Sequence, residues 1–126
     1  MFHNSILQMA FLGDSIYETL IRKKLCQTTK YPVKKLNKMK LNYVTASAQA
    51  IALDKIMDIL SEEEKDIVIK GRNAKTTNVP KTATHSEYHS ATALETLFGY
   101  LYLKENYNRL NELIDIIFNE EKGNEI

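Results

Sequence analysis

Met9-Ala10-Phe11-Leu12-Gly13-Asp14-Ser15-Ile16-Tyr17-Glu18-Thr19-Leu20-Ile21 decides how this chain is read. Ala10, Tyr17 and Ile21, flanked by Leu7 and Leu25, recur at helical steps and predict an amphipathic helix from about Ser5 to Leu25. Asn4 or Ser5 is placed to cap it. Asp14, four residues after Ala10 and three before Tyr17, is expected to project into the apolar stripe. An ionised carboxylate there is costly unless a cation or several donors meet it. Gly13 beside it weakens the helix by roughly 1 kcal/mol relative to Ala, so something must approach the backbone closely. Taken alone, such an Asp is better explained by a neighbouring donor.

A second carboxylate of the same kind changes that balance. Ala91, Leu94, Phe98, Leu101 and Tyr102 form the core stripe of a long helix predicted from Ser86 to about Asn106. Glu95 lies within or at the edge of that stripe, and Gly99 follows one turn later. Two carboxylates facing each other in an apolar setting must share a proton or bind a cation. The chain has no Cys or His cluster at ligand spacing, so oxygen donors favour a hard ion such as Mg²⁺.

Between these helices the pattern stays helical. Four Gly, two Pro and no strand-like alternation in 126 residues predict an all-α fold and a single domain. Pro32 suits the first turn of a helix reaching about Leu41. Thr45 or Ser47 caps another over Ala46 to Leu60, with Ala48, Ile51, Ala52, Ile56, Ile59 and Leu60 as its core stripe. Ser61 to Glu64 fits a capping box, and Gly71 is placed to end the helix it opens. Residues 72–85 (RNAKTTNVPKTATH) have no periodicity and predict a long loop, of a length that is usually functional or mobile. A last helix over Asn108 to Glu120 turns Leu110, Leu113, Ile114, Ile117 and Phe118 inward.

Composition narrows the setting. The chain has 44% hydrophobic and 26% charged residues, and no apolar run long enough to span a membrane. Its N-terminus lacks the pattern of a secretory signal, and the single Cys26 excludes a disulfide framework. A reducing, cytoplasmic compartment is the expectation. The net charge of +1 hides segregation: Arg22 to Lys40 holds eight basic residues and no acid, and Lys70 to Lys81 repeats the pattern on a smaller scale. Such blocks point to a polyanionic partner, or to a solvated lysine face.

Phe-Leu-Gly-Asp-Ser-Ile (11–16) and Leu-Glu-Thr-Leu-Phe-Gly-Tyr-Leu-Tyr-Leu (94–103), about eighty residues apart, resemble the catalytic domain of ribonuclease III. The absence of a following double-stranded-RNA-binding domain, and Gly-Arg-Asn-Ala-Lys (71–75), narrow the resemblance to the Mini-ribonuclease III branch. The resemblance implies a homodimeric helical bundle of the ribonuclease III endonuclease type. By it, Asp14 is the catalytic aspartate and Glu95 the metal-binding glutamate, with Mg²⁺ as cofactor and Mn²⁺ as a substitute. Two further acids of the full-length family are replaced by Ala10 and Thr92, so waters and RNA phosphate oxygens would complete the metal shell. Glu18 either joins as an outer group or pairs with Arg22 at four-residue spacing.

The implied reaction is endonucleolytic hydrolysis of double-stranded RNA, leaving 5′-phosphate and 3′-hydroxyl ends. The implied substrate is the 23S ribosomal RNA precursor; the residues leave open whether a ribosomal protein presents it. Arg72, Asn73, Lys75 and Lys81 are the candidates for RNA contact, since A-form RNA is read mainly through phosphates and 2′-hydroxyls. Arg72 or Asn73 could instead cap the preceding helix. His85, Tyr88 and His89 are assigned no chemistry. A non-catalytic RNA-binding or ribosome-associated module is the alternative reading.

Overall fold

The computed structural model describes residues 5–74 and 84–123, and among these there is no strand. Six α-helices follow in order: α1 (Ile6–Thr28), α2 (Val33–Val44), α3 (Ala46–Ile56), α4 (Glu62–Arg72), α5 (His85–Leu103) and α6 (Tyr107–Gly123). A 3₁₀ turn (Met57–Ile59) extends α3.

Local chemistry sets most boundaries. Ser5–Gln8, Ser61–Glu64 and Thr84–Glu87 each form a reciprocal capping box, opening α1, α4 and α5. Thr45 ends α2 and opens α3 by accepting from the Ala48 N–H at 3.2 Å. Pro32 is the N-cap of α2, one position before the first turn expected of it. The α5–α6 turn is a Schellman motif, with Asn106 N–H donating to Leu101 C=O and Glu105 N–H to Tyr102 C=O, both at 2.9 Å. Glu105 fills its left-handed position at φ 57°, where glycine is usual.

α5 runs through the middle, with α1, α3 and α4 packed directly against it. Tyr17, Ile21 and Leu25 from α1 meet Leu53 and Ile56 from α3 and Leu94, Leu97, Phe98 and Leu101 from α5. Leu113, Ile114 and Ile117 of α6 close the core, as their spacing predicts. Tyr17 packs edge-on against Phe98, ring centres 5.2 Å apart.

Several core expectations need correction. Leu7, Ile51, Ile59 and Tyr102 are exposed, and the buried stripe of α3 is Gln49, Ala52, Leu53 and Ile56. Ile59 turns outward because the tighter 3₁₀ turn advances each side chain further around the axis than an α-helix does. Gly71 does not end α4 but lies buried within it, against α5. A Cβ there would stand 2.7 Å from Thr96 Oγ1 and 2.9 Å from Ala93 Cα, so close packing of two helices explains this glycine.

Candidate active site

The site begins with a backbone crossing. A Cβ on Gly13 would lie 1.6 Å from the carbonyl oxygen of Glu95, and one on Gly99 would lie 1.9 Å from that of Met9. No side chain fits between α1 and α5 at this point, and each glycine is required by the other helix's backbone. The α1 stripe facing the core therefore runs through Ala10, Gly13, Tyr17 and Ile21.

This crossing fixes the two acids. Asp14 follows Gly13 and Glu95 precedes Gly99 by one turn, so the crossing brings Asp14 near enough for its charge to act on the Glu95 carboxyl. Asp14 does not project into the stripe as expected. Its neighbour Gly13 holds the contact line, and the roughly 100° step to the next helical residue leaves Asp14 exposed on the rim. Glu95 is half-buried beneath it.

Burial first, and then the charge of Asp14, push the Glu95 carboxyl up to about 8 from an ordinary 4.5. Gln49 opposes this: its Nε2 donates to Glu95 Oε2 at 3.4 Å. Tyr17 stands below, its hydroxyl donating to the Tyr43 carbonyl at 3.0 Å. Burial, aided by Tyr43 and by the charge of Glu95, raises the pKa of that phenol.

Glu18 does not join the pair. Its Oε2 accepts from Arg22 Nε at 2.8 Å and lies 3.3 Å from Lys40 Nζ, which together hold its carboxyl below the usual range. Part of the Arg22–Lys40 block is likewise internally paired, Lys24 with Asp115 and Lys40 with Glu18. Arg72 and Asn73 come together with Ser86 and His89 around a cleft between the end of α4 and the start of α5. Asn73 also caps α4, but through its backbone N–H, 3.0 Å from the Ile69 carbonyl. Lys75 and Lys81 lie outside the described residues.

The donor set suits a hard cation. Two carboxyl groups lie near each other, and burial pushes one of them toward neutrality. Among the described residues no group of three or more His, Cys, Asp or Glu could hold a metal, so most of an ion's shell would be water or substrate oxygen. That is usual for Mg²⁺ and unusual for transition metals.

Gln49 is the site residue that the sequence reading missed. Its signal was a lone amide at the head of the Gln49, Ala52, Leu53, Ile56 spacing, where an apolar residue is expected.

The family model for the Ribonuclease III domain matches residues 7–106. The Mini-ribonuclease 3 of Thermoanaerobacter sp. is 44% identical over 112 residues, covering 89% of this chain and 79% of that one. The Mini-ribonuclease 3 of Symbiobacterium thermophilum is 43% identical, covering 86% and 83%. A Fusobacterium nucleatum protein solved by X-ray crystallography superposes with a TM-score of 0.84 at 38% identity, covering 94% of this chain and 95% of that one.

Proposed function

This endoribonuclease belongs to the ribonuclease III domain family, alongside the Mini-ribonuclease 3 proteins, and we propose that it hydrolyses double-stranded RNA with Mg²⁺ at Asp14 and Glu95. The observation that carries this is the convergence of the two carboxyl groups at a crossing where the helix backbones touch. Glu95, on the buried side, and Asp14, on the rim, would hold the cation between them, both as carboxylates. Gln49 and the surrounding core hold Glu95 in place, and Arg72 and Asn73 bind the sugar–phosphate backbone from the flank of α5. The cation, when bound, polarises the scissile phosphate and lowers the pKa of the attacking water.

A duplex has two strands, and a symmetric dimer would offer one site to each. A second copy of this chain is the proposed cover for Phe11, which is 84% exposed three residues before Asp14. The proposed physiological substrate is the 23S ribosomal RNA precursor, in the cytoplasm, whether or not a ribosomal protein presents it. The names of the relatives and the family model support a ribonuclease, and the ribosomal substrate rests on the resemblance of the paired motifs alone. Among the described residues no helix is long and apolar enough to cross a membrane.

Incubation with duplex RNA, with and without Mg²⁺, tests the proposal. Cutting should require the ion and fall about a thousandfold or more in Asp14→Asn and Glu95→Gln, since metal assistance supplies several kcal/mol. The small number of acids at the site favours one rival, the non-catalytic binding module. Duplex binding without cutting under all metal conditions would establish it.

A further inference from the structure

Four polar or charged side chains are buried among the described residues: Gln49, Glu64, Thr92 and Thr96. Three have plain structural roles. Glu64 is held by the Arg109 guanidinium through bonds of 2.8 and 2.9 Å. Thr92 and Thr96 return their hydroxyls to α5's own carbonyls, at 2.9 and 2.7 Å. Gln49 differs. It is 3% exposed on the core stripe of α3, a place where Leu or Met would pack without burying an amide, and its amide nitrogen faces Glu95.

We propose that Gln49, which belongs to none of the recognised motifs, is a positioning residue that holds the Glu95 carboxylate turned toward Asp14. The geometry supplies the reason. Glu95 reaches the site on a side chain with three rotatable bonds, and the glycine crossing fixes its backbone but not its carboxyl. α3 packs against α5 and carries Gln49 to the carboxylate from a third helix, so the acid is gripped between Asp14 and an N–H donor. A carboxylate held by such a hydrogen bond is already oriented for a cation. The consequence for metal binding rests on the reading of Glu95 as a cation ligand; the orientation of its side chain does not.

Gln49→Met keeps the volume and the helix while removing the donor, and should melt at or above the wild-type temperature. Gln49→Asn, with its amide withdrawn by one methylene, repeats the test should Gln49→Met fail to fold. In metal-free protein, NMR scalar couplings of Glu95 should report one rotamer in wild type and averaged rotamers in Gln49→Met. Mn²⁺ affinity, titrated without RNA, should fall about 10- to 100-fold in the variant. Couplings that stay at wild-type values overturn the proposal. So does a Mn²⁺ affinity within twofold of wild type where Glu95→Gln loses binding. If wild type and Glu95→Gln bind Mn²⁺ alike, the cation reading falls, and the couplings alone decide for or against Gln49.

Discussion

Gly13 of α1 and Gly99 of α5 meet backbone to backbone: a Cβ on Gly13 would stand 2.8 Å from Gly99 N, and one on Gly99 would stand 3.1 Å from Gly13 N. Because the atoms met are backbone, no side chain can turn aside to admit a methyl group. Gly13→Ala and Gly99→Ala should each destabilise by about 3 kcal/mol or more, the upper end for overpacking. Thermal melting measures this. RNA cleavage, assayed at a temperature where the variants remain folded, should also fall, because separated helices part Asp14 from Glu95.

Glu95 makes the metal-free protein sensitive to alkali. Its carboxyl is raised to about 8 in the fold against an ordinary 4.5, so below about pH 4.5 it is neutral in both folded and unfolded chains. Between those values the unfolded chain gives up a proton that the folded chain keeps, and stability falls as pH rises, by at most about 1.4 kcal/mol per unit. The loss is complete once the pH passes about 8. In EDTA, melting temperature should therefore drop from pH 5 to pH 9 in wild type and less so in Glu95→Gln. Excess Mg²⁺ should recover the wild-type loss by binding the folded state.

Arg109 stabilises the opposite end of the bundle through Glu64. Both carboxylate oxygens are engaged by the guanidinium, which also donates to the Ile59 carbonyl at 2.8 Å. Burial raises the Glu64 pKa, and Arg109 with the Ser61 N–H more than reverses it. Arg109→Met strands a buried charge and should cost about 3 kcal/mol, read by chemical denaturation. The double variant Glu64→Gln, Arg109→Met should regain most of that loss.

Phe11 should carry much of the self-association. If a second copy covers it, Phe11→Ala removes a central aromatic anchor worth about 2 kcal/mol or more, roughly thirtyfold in the dimer Kd. Sedimentation equilibrium reads the change directly. A mass that matches one copy in wild type would remove the dimer from the proposed function.

Periodicity and capping chemistry made the helices legible, because both act over three or four residues and need no partner elsewhere. Ser61–Glu64 and the inward face of α6 are examples. The pairing of Asp14 with Glu95 was also foreshadowed, since each acid sits by a glycine on an apolar helix. Other features depended on neighbours distant in sequence. Gly71 reads locally as a helix stop, but α5 presses on it, so it lies inside α4. Asp14 reads as a stripe residue, yet the crossing at Gly13 rotates it to the rim. Gln49 looks like an ordinary polar residue of α3 until Glu95 arrives from α5, 46 positions later. The sequence by itself determined the helices, the inward face of α6 and the two acids, whereas tertiary structure alone decided which residues of α1, α3 and α4 met α5. Those contacts are set by how closely two backbones can approach, a property of the pair of helices and not of either one.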